Sequence, residues 1–355
     1  MDTRRYFDDA VALLRELIST PSVSRDEASA ADVMEGRMRL WGLCPHRVGN
    51  NVWAVCADYS PMKPTILLNA HIDTVKPVAT WTRQPFEPVI EDGKLFGLGS
   101  NDCGGGLVSL LQVFRILSIK PRNYNMVYLA SCEEEVSGKD GIVLALPELP
   151  KVDVAIVGEP TGMQPAIAEK GLMVIDGYAS GVSGHAARNE GVNAIYEALD
   201  DLVWLRDYRF RKVSPLLGPT KMTVTVVEAG TQHNVVPDRL HFMLDVRTNE
   251  YYRNEDVYEF LCSQMKHCRL EARSFRLHSS SIAESHPLVV RCLSLGMQPF
   301  GSPTLSDQAL MSFPSLKLGP GQSARSHSAD EFIGLSEIEE AIAVYLELLS
   351  GDSLF

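Results

Sequence analysis

The sequence predicts an α/β protein that carries a second, α+β unit inserted into it. The chain has 355 residues, more than one ordinary hydrophobic core holds, which favours two domains. In 1–162 and 276–355, short apolar runs alternate with helix-period patterns, as is typical of a mostly parallel sheet covered on both faces. In 163–275 the order becomes β-α-β-β-α-β, which predicts a compact ferredoxin-like insertion.

The elements of the first domain follow from the period of their apolar residues. Helix periods predict helices at 6–18, 27–41, 138–146 and from about 106. Apolar, partly β-branched runs predict strands at 51–57, 65–70, 126–131 and 152–161. After the insertion we expect a short helix at 306–310, a strand and turn at 315–322, and a final helix at 337–349 with Ser336 as its N-cap.

The insertion has its own pattern of alternating residues. Leu240, Phe242, Leu244 and Val246 share one face of a strand that is polar on the other face. The same reasoning predicts strands at 171–181, 222–230, 240–248 and 269–277, and helices at 191–206 and 253–267.

The composition excludes several classes of function. The net charge is −12 and no basic tract occurs, which argues against nucleic acid and anionic membrane as partners. No apolar run has the roughly 18–20 residues that span a bilayer, and the N-terminus lacks the apolar stretch of a signal peptide, so a cytoplasmic location is expected. The seven cysteines form no CxxC pair and are interpreted as reduced thiols.

The stretch 65–109 contains the first chemically suggestive residues. His71 and Asp73 follow a predicted strand and, being two residues apart in extended chain, point the same way. Asp102 lies on a glycine-rich turn before a helix, a position where open α/β sheets bind ligands. The glycines at 104–106 indicate a turn, a close backbone approach or a phosphate loop, but no Gly-Lys-Ser/Thr follows them.

Five acidic or imidazole residues share this setting at a strand end or turn of the first domain. Two histidines and three carboxylates suit a pair of divalent ions with one bridging carboxylate, and the ligand types fit zinc, cobalt or manganese. These candidate metal ligands are His71, Asp102, Glu134, Glu159 and His327.

Two further carboxylates have candidate roles beside these ligands. Glu133 stands next to Glu134, and such a pair of like charges is stable only with a cation nearby. With Glu134 on the metal, Glu133 is free to take a proton from metal-bound water. Asp73 is placed to hold the second ring nitrogen of His71.

Read together, the segments HIDTV, GLGSNDCGGG, SCEEEVSG, GEPT and SHSADEFI resemble, in this order, the M20 family of dinuclear zinc amidohydrolases and peptidases. The resemblance covers essentially the whole chain and implies a zinc-exopeptidase-like first domain. It also implies that one ion takes His71 and Glu159, the other takes Glu134 and His327, and Asp102 bridges them. By the same resemblance Glu133 is the general acid/base and the peptide bond after Asp102 is cis.

The chain departs mildly from the family pattern around the bridging aspartate. Many relatives have Arg-Gly before that aspartate where this chain has GLGSN, and Met follows it where this chain has Cys103. No ligand is lost, so we expect a change in the pocket wall only.

The insertion supplies three more candidate residues through the resemblance. His185, in SGVSGHAAR, matches a histidine that reaches the active site of the partner subunit and polarises the scissile carbonyl. Asn234 matches a substrate-binding residue, and Arg247 matches one that grips a substrate carboxylate. By residue type alone, a capping histidine and an exposed strand charge are the commoner interpretations. The resemblance implies a homodimer formed through this dimerisation or lid domain.

Within the family the chain looks most like the acetylornithine deacetylase group of arginine biosynthesis. We therefore expect hydrolysis of a small N-acyl amino acid, with N-acetyl-L-ornithine as the leading substrate and N-acetylcitrulline or N-succinyl relatives close to it. Alternatives within the family are a di- or tripeptidase, an N-acetyl-lysine deacetylase and a succinyl-diaminopimelate desuccinylase. A non-catalytic binding protein is disfavoured because the ligand set is complete.

Overall fold

The computed structural model describes residues 3–351 and 354–355. The chain forms two compact units. The first contains the residues up to Ile167, residues 282–300 and the chain from Ser306 onward, and the second contains 168–281 and 301–305. The second unit begins five residues later and ends six residues later than the insertion predicted at 163–275, and it adds the short segment 301–305.

The α-helices of the described residues, in chain order, are α1 (Arg4–Ile18), α2 (Ala28–Leu40), α3 (Gly105–Leu117), α4 (Ile142–Ala145), α5 (Ala194–Asp207), α6 (Asn254–Gln264), α7 (Pro287–Ser294) and α8 (Leu335–Leu349). Helix α7 has no counterpart among the predicted elements, and α4 has only four of the nine residues predicted.

The strands up to the second unit are β1 (His46–Val48), β2 (Asn51–Val55), β3 (Thr65–His71), β4 (Val89–Glu91), β5 (Lys94–Phe96), β6 (Asn125–Ser131), β7 (Val154–Val157) and β8 (Ala166–Glu169). Those that follow are β9 (Met173–Ser180), β10 (Val213–Ser214), β11 (Gly218–Pro219), β12 (Lys221–Ala229), β13 (Arg239–Arg247), β14 (Arg269–Ala272), β15 (Ser280–Ser281), β16 (Phe300–Ser302), β17 (Ser315–Lys317) and β18 (Phe332–Gly334).

The large sheet of the first unit runs in the order β1-β2-β6-β3-β7-β17-β8. Its centre is parallel, because β3 pairs in parallel with β6 and β7, and β17 pairs in parallel with β7. Strands β3 and β6 are buried at every position, which explains why their sequences are continuous apolar runs and do not alternate. The α/β class with a largely parallel sheet is confirmed.

The glycines before α3 allow backbone to approach backbone. A Cβ on Gly106 would lie 1.8 Å from the carbonyl oxygen of Gly158, and one on Gly104 would lie 2.4 Å from that of Gly99. The N-terminus of α3 therefore sits directly against the chain that leaves β7. Of the three interpretations of these glycines, the close backbone approach is the one that the structure supports.

The start of the final helix differs from the prediction. Helix α8 begins at Leu335, so Ser336 lies inside its first turn and is not its N-cap. Gly334 occupies the cap position, and its N–H donates to the carboxylate of Glu337 at 2.7 Å. The short strand β18 sets this boundary, because it pairs with β5 up to Gly334.

The second unit is an antiparallel four-stranded sheet with α5 and α6 packed on it. Its strand order, β12-β13-β9-β14, is that of the ferredoxin-like arrangement. The predicted apolar face of β13 forms the core, and Phe242 fits over Gly177 of β9, where an added Cβ would be 2.1 Å from the ring.

Among the described helices, none combines the length and the hydropathy that a bilayer span requires.

Candidate metal centre

The candidate site lies where three neighbouring parallel strands end. His71 is the last residue of β3, Glu133 to Glu135 follow β6, and Glu159 follows β7. Carboxyl ends of parallel strands meet at one edge of a sheet, which brings residues distant in sequence together. The edge therefore collects an imidazole and several carboxylates from separate parts of the chain.

His71 is buried and directs one ring nitrogen at the carboxylates. Its Nε2 lies 3.4 Å from Oδ1 of Asp102 and 3.7 Å from Oε1 of Glu159. Its Nδ1 lies 2.8 Å from the main-chain oxygen of Asp73 and donates to it, which leaves Nε2 with a lone pair for a metal. The nitrogen thus bonds to the main chain of Asp73, whereas we expected the carboxylate, which is 3.6 Å away.

The Asp73 carboxylate has other partners. It accepts hydrogen bonds from the N–H of Glu134 at 3.0 Å, from the N–H of Glu135 at 3.2 Å and from the hydroxyl of Ser24 at 2.7 Å. Asp73 therefore fixes the turn that carries the two glutamates.

Asp102 lies between the two histidines. Its Oδ1 faces His71, and its Oδ2 lies 3.6 Å from Nε2 of His327. The peptide bond between Asp102 and Cys103 is cis, as the resemblance implied. A carboxylate that turns one oxygen to each of two imidazoles has the arrangement of a bridging ligand.

Three glutamates follow β6, and their carboxylates have different partners. The carboxylate of Glu133 accepts from the N–H of Asp140 at 3.4 Å and lies against Gly138. Glu135 instead lies 2.9 Å from Nε2 of His327, and its oxygen groups with ligand atoms of His71 and Asp102. Glu134 is near enough to Glu159 for the two charges to interact.

The physical reason is the conformation of Glu133, whose backbone is left-handed with φ of 54°. The strand alternation ends there, and the turn Glu134–Val136 that follows directs the next two carboxylates inward. We expected Glu133 to be the general acid/base and Glu134 to be a ligand, whereas in this geometry Glu135 is the glutamate that contacts His327.

The negative charges of the clustered carboxylates are not fully balanced by the positive charges near them. Burial, with repulsion from Asp102, raises the pKa of Glu159 to about 8, and burial with the charge of Glu159 raises that of Glu134 well above its ordinary value. The hydrogen bond to Glu135 raises the pKa of His327 to about 9. Among the described residues, Oε1 of Glu159 is buried and has no hydrogen-bond partner. An orphaned carboxylate oxygen beside an imidazole lone pair fits a divalent cation.

Cys103 is buried against His71. Its sulfur accepts from the N–H of His71 at 3.2 Å, and burial raises the pKa of the thiol. The sulfur also lies within 4.8 Å of a His71 ring nitrogen and a Glu159 carboxylate oxygen, so Cys103 belongs to the immediate surroundings of the candidate ligands.

Three buried carboxylates around the site were not assigned a role from the sequence. Asp307 accepts from Asn69 at 2.8 Å and from Ser131 at 2.6 Å, beneath the ends of β3 and β6. Burial raises the pKa of Glu331 to about 7 although backbone N–H groups bond to it. The third is Glu135. Glu331 lies in the motif SHSADEFI and Glu135 in the motif SCEEEVSG, so membership of these motifs was the sequence signal that could have identified them.

In the second unit the structure brings His185 and Asn234 together. The N–H of Ala186 donates to the main-chain oxygen of Asn234 at 3.0 Å, and His185 forms a bridge with Val235. Both side chains are exposed, and Nδ1 of His185 accepts from the N–H of Ala187 at 3.1 Å. This pair of loops lies beyond the end of β9 that is paired with Arg239.

Arg247 lies at the other end of β13 and has a partner already. Its Nε and Nη2 bond to the two oxygens of Asp245 at 2.9 and 3.1 Å. At about 3.3 Å per residue, Arg247 is roughly 25 Å along the strand from Arg239, so the structure does not bring it to the His185 loop.

Residues 67–351 match the family described as Peptidase family M20/M25/M40. The chain is 26% identical to the acetylornithine deacetylase of Proteus mirabilis, with 93% of each chain covered. It is 25% identical to a succinyl-diaminopimelate desuccinylase of Dechloromonas aromatica, over 96% of this chain and 98% of the relative.

Solved structures share the fold at lower identity. An aminopeptidase PepT from Bacillus cereus has a TM-score of 0.76 at 18% identity, covering 96% of this chain and 97% of that one. A dinuclear metal-binding peptidase of the M20 family from Bacillus subtilis has a TM-score of 0.72 at 16% identity, covering 97% and 98%.

Proposed function

This chain belongs to peptidase family M20/M25/M40 and is a metal-dependent hydrolase, and we propose that it removes a small acyl group from the α-nitrogen of an amino acid. The observation that carries the proposal is the orientation of Asp102, whose two oxygens face two different histidines. That arrangement suits two ions sharing one carboxylate. Zinc is the leading candidate, with cobalt and manganese as alternatives.

The proposed ligand set follows the geometry described above. His71 and Glu159 would hold one ion, Glu135 and His327 would hold the other, and Asp102 would be shared by both. Bound there, the two ions would polarise the scissile carbonyl and lower the pKa of a water molecule. Asp73 keeps Nε2 of His71 available through its main-chain oxygen and holds the 134–135 turn in place.

Glu134 is the proposed proton carrier. Its charge interacts with that of Glu159, and the raised pKa of its carboxyl group suits a residue that takes a proton from water and returns it to the leaving amine. Glu133, turned towards Asp140, lacks access to that proton.

The second unit is proposed to complete the site in a homodimer. His185 and Asn234 stand together, whereas Arg247 is roughly 25 Å away along β13. One small substrate cannot touch both ends of this sheet, so if all three residues bind it they come from two copies of the chain. His185 then polarises the carbonyl from the partner subunit, and Arg247 binds the substrate carboxylate.

The dimer surface is proposed to be α5 with the edge strand β12. Strand β12 has a neighbour on one side only, which leaves backbone groups for a second copy. Exposed apolar residues lie along one side of α5, at Tyr196, Leu199 and Val203. A two-fold axis beside this edge would bury both features.

N-acetyl-L-ornithine is the leading substrate, because a curated acetylornithine deacetylase covers nearly the whole chain. An N-succinyl amino acid is the second candidate, supported by desuccinylase relatives of almost equal identity. The succinyl group is longer than the acetyl group by a CH₂–COO⁻ unit, so the choice rests on the room and the cationic side chains near the acyl pocket. Peptides are supported by fold likeness only.

The test is a panel of N-acetyl and N-succinyl amino acids and dipeptides, assayed with added zinc or cobalt. Beside the parent chain, Glu134→Gln and Glu133→Gln are compared for bound metal and turnover. We expect Glu134→Gln to keep two ions and lose about 10²–10⁴-fold in kcat, with Glu133→Gln close to the parent. Full activity of Glu134→Gln would overturn its assignment, and no hydrolysis of any N-acyl substrate by the metal-loaded parent would overturn the function.

A further inference from the structure

The turn that carries Asp102 is held by one side chain from the far end of the chain. Glu331 is 2% exposed. Its Oε1 accepts from the N–H groups of Asn101 and Asp102, both at 2.8 Å, and its Oε2 accepts from the N–H of Gly99 at 3.0 Å. Three backbone donors of the turn that carries Asp102 thus converge on one carboxylate.

The backbone of Glu331 is fixed independently of its carboxylate. Its carbonyl oxygen accepts from the N–H of Gly97 at 3.0 Å, and the next residue begins β18, which pairs with β5. His327 lies four residues before it on the same loop. The side chain therefore spans from the loop of one histidine to the turn of the bridging aspartate.

We propose that Glu331 is a positioning residue that sets the orientation of Asp102 relative to His327, so that both ions are bound in one shared centre. The inference rests on the proposed two-ion function. Glu331 itself contacts neither ion nor substrate in this proposal, and it acts only through the three N–H groups of the turn.

The three N–H groups of the turn require a hydrogen-bond acceptor at both carboxylate oxygens of residue 331. A glutamine has one carbonyl oxygen and one NH₂ group. Whichever way its amide is turned, at least one N–H of the turn faces a donor and loses its bond. The turn then shifts, and the two oxygens of Asp102 no longer align with His71 and His327.

The second unit provides a matched control. Asp201 is 1% exposed and, like Glu331, accepts hydrogen bonds from three backbone N–H groups, those of Lys266 at 3.0 Å, His267 at 2.9 Å and Cys268 at 2.8 Å. Asp201→Asn makes the same chemical change at a turn that carries no metal ligand. A purely structural role predicts the same consequences for both variants.

The experiment uses full-length parent, Glu331→Gln and Asp201→Asn, stripped of metal. Thermal unfolding of the metal-free proteins is compared first. Cobalt is then titrated in competition with a chelator, and its visible absorption reports coordination. We expect both variants to lose stability, and only Glu331→Gln to bind cobalt about 10–100-fold more weakly, with an altered spectrum.

Unchanged cobalt affinity and spectrum in Glu331→Gln, or an equal loss in Asp201→Asn, would overturn the proposal. If Glu331→Gln is not recovered folded, Glu331→Asp decides: its shorter side chain keeps the charge but cannot reach all three donors, so weaker cobalt binding is expected and parent affinity would refute the role. Failure of the two-ion function is recognised separately, because the parent chain itself would then bind fewer than two ions.

Discussion

Most functional candidates of the first unit are less exposed to solvent than His185 and Asn234 of the second, with His327, whose side chain is 54% exposed, as the exception. In the first, His71, Asp102 and Glu159 are drawn into the end of a sheet and their charges are partly hidden from water. In the second, His185 and Asn234 are exposed on loops. The difference agrees with the proposal that the ligands of both ions come from the first unit and that the candidates in the second unit act on substrate. Variants in the two units should therefore fail in different ways.

The largest effect is expected from Asp102→Ala. Because its two oxygens face His71 and His327, we expect both ions to be lost together and activity with them. Metal analysis after gel filtration measures this, and Asp200→Ala, an exposed aspartate of the second unit, should keep both ions. Loss of one ion, with the other held at parent affinity, would indicate two independent sites.

A smaller effect with intact metals is expected from His185→Ala. If this histidine polarises the carbonyl, kcat should fall about 10²–10³-fold while metal content stays at the parent value. His233→Ala, another exposed histidine in the paired loop, is the control and should stay near parent activity. Metal loss in His185→Ala would contradict the division between the units.

Mixing two inactive variants tests whether His185 acts across the dimer. With random pairing of Glu134→Gln and His185→Ala subunits, half of the dimers are hybrids and each has one complete site, so about a quarter of parent activity should return. Exchange is followed with differently tagged subunits. Exchange without recovered activity would place His185 in its own subunit.

Arg247→Ala should mainly raise KM. A lost carboxylate contact weakens ground-state and transition-state binding alike, so we expect KM to rise about 10–100-fold with a smaller change in kcat. Arg239→Ala, at the opposite end of the same strand, is the matched control. An effect confined to kcat would argue against a carboxylate contact.

The smallest effect concerns stability of the second unit. Hydrogen bonds from Arg273, opposed by burial and helped by His241, lower the pKa of Asp176 to about 2. The ionised form is therefore favoured by folding, and its contribution is complete above about pH 4 and disappears as the pH falls towards 2. Asp176→Asn should lower the thermal midpoint by about 1–2 °C at pH 7. The difference should vanish in acid, and a constant difference would contradict the charge argument.

The sequence predicts the location of the candidate site in the first unit better than the orientation of the side chains within it. The ends of apolar runs predict the positions of His71 and Glu159, and the glycine-rich turn predicts that of Asp102. Both features can be recognised in the local sequence. The proposed roles of Glu134 and Glu135 depend on the left-handed backbone of Glu133, which no periodicity of the sequence reveals. The prediction that Ser336 is the N-cap of the final helix was wrong because β18, a strand too short to predict, extends to Gly334.

The second unit shows the reverse. Its β-α-β-β-α-β order was readable from alternation in strands such as β13, yet His185, Asn234 and Arg247 were found only through resemblance. Exposed loop residues obey no burial pattern, so nothing in their local sequence separates a functional side chain from a solvated one.

The hydrogen bonds between Glu331 and the turn that carries Asp102 also have a consequence for the order in which the site is completed during synthesis. The two residues are 229 positions apart, so during synthesis the turn emerges long before its acceptor. Loop-closure entropy rises only slowly with loop length, so the separation adds little cost once other contacts of the first unit bring the two segments together. Until residue 331 has been synthesised the turn lacks this carboxylate, and under the proposed positioning role a chain truncated before it would bind metal more weakly than the full chain.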